Sequence, residues 1–212
     1  GKALGYTITV TSSDEWLTAD GDSEARITAF VALDGVPVEG HRVGFTVAAG
    51  SGRIRTVRGE TDTNGKAMAV YTAGTKIGIV LIRATDHTAG ISGTVQIELR
   101  SDAPAKIAIT VDPDVLPADG RSTADVAVVV TDINDNPNEG VEVEYAVSIG
   151  SGSLRRVDEI TDRRGESSAE YVAGRIPGRV SIEVTVRSTV PTEEELLEAR
   201  DLALAVTDYD FY

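Results

Sequence analysis

His41 and His87 are the only two imidazoles in this 212-residue chain, and there is no cysteine. Nucleophilic catalysis needs a base, a nucleophile and an orienting group within hydrogen-bond reach. Neither histidine has a Ser or Asp at a recognised motif spacing, so both read as loop or surface residues rather than triad members. Two lone imidazoles far apart in sequence also lack the spacing of a zinc site. The run Asp132-Ile133-Asn134-Asp135-Asn136-Pro137 is different, because it places hard oxygen donors close together. Asp132, Asn134, Asp135 and Asn136 are therefore a calcium candidate, with Asp20, Asp22 and Asp102 as further donors. The competing reading is a polar turn, since Asn, Asp and Pro each favour turns for their own reasons. Gly50-Ser51-Gly52 and Gly150-Ser151-Gly152 precede no helix, so they read as strand-ending turns rather than phosphate cradles. Trp16 and the terminal Tyr209-Asp210-Phe211-Tyr212 offer rings that could stack on a sugar or a protein. The alternative is that Trp16 packs at a pole between modules while the tail covers a sheet edge. No enzyme activity and no cofactor other than calcium is expected.

The elements that must position these residues come in two sets. Thr61-Asp62-Thr63-Asn64-Gly65 through Tyr71-Thr72-Ala73-Gly74 returns as Thr161-Asp162-Arg163-Arg164-Gly165 through Tyr171-Val172-Ala173-Gly174, an offset of 100 residues. A period that long exceeds any solenoid repeat and fits a whole domain used twice. The boundaries expected are 1–101 and 102–212. In the first module Tyr6, Ile8 and Val10 alternate with threonines, as in a half-buried strand. Ala25 to Val31, Val43 to Val47, Ile54 to Val57, Met68 to Tyr71, Ile77 to Ala84 and Val95 to Leu99 supply further strands. Asn64-Gly65 predicts a type I′ hairpin. The nearly continuous apolar run from Ile77 to Ala84 predicts a strand buried on both faces. Seven short strands with regular turns make each module an immunoglobulin-like β-sandwich in an all-β chain.

Composition bounds the partners. Only 5% of the residues are aromatic, so the cores are built from Val, Ile, Leu and Ala. A formal net charge of −14 disfavours nucleic acid and anionic membrane surfaces, both of which would repel the chain. No apolar run is long enough to insert in a membrane as a helix. The abrupt opening Gly1-Lys2-Ala3 suggests an excised fragment, so any targeting signal would lie outside it.

The second module repeats the first with changes. Ala118-Asp119-Gly120 repeats Ala19-Asp20-Gly21 at an offset of 99 residues, so one extra residue sits in the following hairpin, 131–137. That hairpin resembles the Asp-x-Asn-Asp-Asn calcium sequence of cadherins, although cadherins place it in the linker between domains. Near the end, Thr192 and Glu195 form a capping box ahead of Leu196 and Leu197, predicting a helical insert over 192–200. Strand direction puts this insert at the pole beside the preceding module, where it would brace the junction. The boundary around Asp102-Ala103-Pro104 is too short for a loose tether, so a stiff monomeric rod is expected.

Ala19-Asp20-Gly21, the Pro37 turn, Val43-Gly44-Phe45 leading to Gly50-Ser51-Gly52, Thr61-Asp62-Thr63-Asn64-Gly65-Lys66-Ala67 and Tyr71-Thr72-Ala73-Gly74 together resemble the bacterial Ig-like Big-1 module of invasin- and intimin-type surface proteins. The resemblance covers almost the whole chain, twice. The second copy departs from it at Asn138, Tyr145 and Arg163-Arg164 and in its insert. The resemblance implies an extracellular, cell-surface location and a non-catalytic spacer role, supporting an adhesin's binding tip. Neighbouring Ig-like domains of the same chain, and a host or cell-surface protein or glycan, would then be the partners. The alternative is a carbohydrate- or protein-binding accessory module of a secreted enzyme.

Overall fold

A computed structural model describes residues 5–187 and the strand at 202–211. The chain divides into two compact units, Gly1–Asp102 and Ala103–Tyr212. Among the described residues every regular element is a β-strand. The expected helical insert at 192–200 lies outside the described residues.

The first unit is built from β1 (Tyr6–Ser12), β2 (Trp16–Thr18), β3 (Glu24–Leu33), β4 (Val36–Pro37), β5 (Val43–Ala49), β6 (Arg53–Arg58), β7 (Lys66–Thr72), β8 (Gly78–Asp86) and β9 (Ile91–Arg100). One sheet runs β1-β3-β7-β6 with β4 appended to β3, and the other runs β2-β9-β8-β5. All neighbours are antiparallel except β2, which runs parallel to β9. The seven expected strands are present, and β2 and β4 are short additions to them. Alternation decides the inner face: Ala25, Ile27, Ala29 and Val31 of β3 are buried against Val43, Phe45, Val80, Ile82, Ala84, Ile97 and Leu99.

The strand from Gly78 to Asp86 corrects one expectation. Ile79 is 56% exposed while Val80 and Ile82 are buried, so β8 has one solvent face despite its apolar sequence. An antiparallel sandwich covers each sheet on one side only, and the apolar run cannot bury its outer residues within the unit. The Asn64-Gly65 hairpin is also corrected, because Gly65 has positive φ and Asn64 does not. The residues with the paired positive φ of a type I′ turn are Asp34 and Gly35, between β3 and β4.

The second unit comprises β10 (Lys106–Asp112), β11 (Thr123–Thr131), β12 (Glu142–Ile149), β13 (Gly152–Arg155), β14 (Glu166–Ala173), β15 (Gly178–Arg187) and β16 (Leu202–Phe211). Its sheets are β10-β11-β14-β13 and β12-β15-β16. Its core is mostly valine: Val126, Val128, Val130, Val141, Val143, Val180, Val184 and Val186 are all buried. Where the first unit has Phe45 and Ala67, the second has Tyr145 and Ser167. These two changes compensate each other, because the Tyr145 hydroxyl lies 2.7 Å from the Ser167 hydroxyl. The Ser167 hydroxyl in turn donates to the Asp158 carbonyl. Burial pushes the Tyr145 phenol up, the Ser167 bond opposes it and the nearby Asp158 charge adds to it. Tyr145→Phe should lower the stability of the second unit by about 1 kcal/mol, read by hydrogen exchange of the β12 and β15 amides. An unchanged exchange rate would show that the hydroxyl pair contributes nothing.

Candidate functional site

The repeated sequence motifs prove to be turn devices, and each works through one polar side chain. In the first unit the Asp20 carboxylate accepts the amides of Asp22 and Ser23 and the Ser23 hydroxyl. In the second, Asp119 accepts the amides of Arg121 and Ser122 and the Ser122 hydroxyl. The Ser122 and Arg121 amides hold the Asp119 carboxyl far below the usual carboxylate range. Asp62 accepts the amides of Asn64 and Lys66, and Asp162 those of Arg164 and Glu166. The Lys66 amide in one turn and the Glu166 amide in the other are the largest causes holding these carboxyls low. Gly65 completes the turn, since its carbonyl accepts the Val31 amide at 2.8 Å. A Cβ there would stand 2.5 Å from the Val31 carbonyl oxygen, at φ +70.

The Gly-Ser-Gly and Tyr-x-Ala-Gly motifs form one device. The buried Tyr71 hydroxyl donates to the Ser51 carbonyl at 2.5 Å, and Tyr171 donates to Ser151 in the same way. The Ser51 and Ser151 hydroxyls donate to the Lys76 and Ile176 carbonyls. The phenol thus pins the end of its own sheet to the turn by which the chain arrives from the other, and satisfies its own polar atom in doing so.

The calcium candidate has a related geometry. The Asp132 side chain is buried, and one carboxylate oxygen accepts the Asn134 and Asn136 amides, each at 2.8 Å. Its other oxygen accepts the Asn136 side-chain amide at 2.8 Å. Asp135 instead meets the Lys106 ammonium, which also donates to the Ile133 carbonyl at 3.0 Å. Asp132, Asn134 and Asn136 are therefore brought together, the Asn134 backbone amide and both the backbone and side-chain amides of Asn136 donating to one carboxylate. An ammonium stands beside Asp135 and the Ile133 carbonyl, where a cation would have to compete with it. Among the described residues no group of three or more His, Asp or Glu side chains could hold a metal ion. We expect the melting temperature to be the same, within about 1 °C, in calcium and in chelator, a turn of this kind gaining nothing by linkage. A rise with calcium that Asp132→Asn abolishes would establish a metal site in this turn.

His41 and His87 differ sharply. His87 is exposed, and its ring lies over the Gly44 backbone. His41 is buried, and its Nδ1 lies 2.7 Å from the Asp86 carboxylate, itself fully buried at the end of β8. The second Asp86 oxygen accepts the Thr88 and Ala89 amides at 2.8 and 3.1 Å. Burial pushes the Asp86 carboxyl up, and the His41 ring with the two amides outweighs it, so the acid is held below its ordinary range. The His41 amide donates to the Thr61 hydroxyl, and the ring tilts against Tyr6 with centroids 5.1 Å apart. Among the described residues Asp86 is the single side-chain hydrogen-bond partner of the imidazole. The Asp86 carboxylate holds the imidazole in one orientation. In the second unit this pair is Val141 and Val186, both buried.

Sequence reasoning missed Asp86 and the two threonines. Thr161 mirrors Thr61, accepting the Val141 amide and donating to the Asn138 carbonyl. The available signal was an Asp closing an otherwise apolar alternation in β8. Trp16 is 50% exposed, and the Arg100 guanidinium covers one ring face at 4.9 Å from its centroid. The tail aromatics 209–212 fall on residues whose side chains are outside the description.

Comparison with known proteins gives a consistent result. Residues 106–195 match the family model of the bacterial Ig-like domain (group 1). The inverse autotransporter adhesin YeeJ of Escherichia coli (strain K12) is 26% identical over 185 residues, 85% of this chain and 8% of that protein. The structure of InvD from Yersinia pseudotuberculosis superposes with a TM-score of 0.68 at 17% identity, covering 96% of this chain and 56% of that one. The Escherichia coli adhesin FdeC superposes with a TM-score of 0.59 at 14% identity, covering 100% of this chain and 66% of that one. At these identities the two structures establish the fold. Residues 106–195 are thus similar to the bacterial Ig-like domain (group 1), and the first unit has the strand order and turn devices of the second.

Proposed function

We propose that the chain is a non-catalytic spacer segment of a bacterial cell-surface adhesin, lying outside the cell and supporting a binding tip built by other domains. The carrying observation is duplication of a complete module. Each unit has its own core, its own Asp-centred turns and its own Tyr-to-Ser pin, so length is added by repetition without shared parts. The likeness to 8% of an inverse autotransporter adhesin supports the same reading, since a short segment of a long chain suits a stalk. Its immediate partners would be neighbouring Ig-like domains, with a host or cell-surface protein or glycan met at the tip.

The test uses the parent protein on its own cells. Deleting these two units should reduce adhesion to a surface, and inserting two unrelated Ig-like sandwiches of similar length should restore it. Failure of every substitute to restore adhesion would mean that the segment itself carries recognition. A glycan array on the purified chain examines the accessory-module alternative. Arg100 already occupies one face of Trp16, so we expect no signal that Trp16→Ala removes.

A further inference from the structure

At matching positions the outward face of the second unit carries smaller side chains than that of the first. On β11 and β14 the paired outward residues are Ala127 with Ser168 and Val129 with Glu166. Their counterparts in the first unit are Thr28 with Met68 and Phe30 with Lys66. Replacing Phe and Met by Val and Ser removes much of the volume above that sheet. An open cleft of about 810 Å³ lies over these residues, with the segment 157–162 along it. Ala127 and Val129 floor it, with Val157 and the 55% exposed Ile160 on its wall.

The charged side chains lining the cleft itself are acidic, while Arg156, paired with Glu170 at 3.6 Å, lines the adjoining hollow. Asp158, Glu159, Asp162 and Glu166 line the cleft, and no lysine, arginine or aromatic residue does. Arg164 reaches Glu166 from outside at 3.4 Å, Asp162 is engaged in its turn, and Asp158 accepts the Ser168 hydroxyl. An aliphatic trough edged with carboxylates complements a cation carried on a methylene stem. The lack of a ring among the lining residues makes it a poor platform for a sugar.

We infer that this cleft docks an extended basic peptide segment of a partner protein, with aliphatic stems on Ala127 and Val129 and a cationic head beside Asp158 and Glu159. This goes beyond the spacer reading, because it gives the second unit a contact of its own. It also leaves that reading intact if the inference fails. The experiment titrates the isotope-labelled whole chain with the capped peptide Lys-Val-Lys-Val-Lys and follows amide shifts. The expected changes concentrate at residues 127–129 and 157–168, and weaken with added salt. Val129→Phe with Ser168→Met, which installs the first unit's side chains, should weaken binding at least about fivefold, and Glu159→Gln about threefold. The filled variant should melt like the parent, since both positions lie on the outward face and the first unit's sheet carries Phe30 and Met68 at the matching places. Should it misfold, Glu159→Gln with Glu166→Gln provides the comparison. The inference is overturned by no binding at millimolar peptide, by equal binding of Glu-Val-Glu-Val-Glu, or by changes scattered over the acidic surface of both units.

Discussion

Replacing Asp86 by alanine should destabilise the first unit by about 3–5 kcal/mol and leave the second unaltered. The substitution removes a buried carboxylate that satisfies the His41 ring and the Thr88 and Ala89 amides together. Three groups then lose their partner, and the buried His41 ring is the one that water reaches least. The double variant His41→Val with Asp86→Val should recover most of the loss, because the second unit already runs on Val141 and Val186 at these positions. Two units do not yield one unfolding free energy, so the measurement is hydrogen exchange resolved for each unit. The sign of the pH dependence follows from the lowered Asp86 pKa. The contribution is complete above the ordinary carboxylate range and fades as pH falls through the lowered value. The first unit of the parent should therefore lose protection more steeply in acid than that of the double valine variant. An Asp86→Ala loss under about 1 kcal/mol would mean that the pair is not a structural element.

Gly152→Ala should cost the second unit about 3 kcal/mol or more. Gly152 sits at φ +134, and a Cβ there would stand 2.4 Å from the Tyr171 hydroxyl and 2.6 Å from the Val172 carbonyl oxygen. The methyl group therefore strains the backbone and displaces the phenol from the Ser151 carbonyl at the same time. Gly52→Ala should do the same to the first unit, where the Cβ would stand 2.5 Å from both the Tyr71 hydroxyl and the Thr72 carbonyl oxygen. Each loss should remain within its own unit. Thermal melts with fluorescence and amide exchange as separate readouts check both, and a loss below about 1 kcal/mol would refute the account of the motif.

Strand order, core alternation and module repetition were legible in the sequence because they depend on period-two burial and on turn residues. The inner residues Ala25, Ile27, Ala29 and Val31 follow from that alternation. The exposure of Ile79 was not legible, since an apolar run looks the same whether one or two faces are covered. Asn64-Gly65 misled because Asp62, two residues earlier, captures the turn and leaves only the glycine at positive φ. The run at 132–136 reads from sequence as a calcium candidate or a polar turn, and residue types alone do not choose between the two. Whether an aspartate faces a cation or its own backbone amides is a matter of loop geometry, and there Asp132 turns inward. Asp86 escaped notice because its partner lies 45 residues away, at His41.

The dissimilar interiors carry a consequence for a chain made of adjacent copies. Neighbouring repeats risk exchanging strands while they fold, because each offers the other nearly the right edge. If the strand ending in Asp86 were taken up by the second unit, its carboxylate would face Val141 in a dry interior, and Val186 would face an imidazole in the first. Either crossover strands a polar group, so the wrong pairing is penalised by solvation alone. The buried His41–Asp86 pair would thus act as an address label, directing each strand to its own half of the protein.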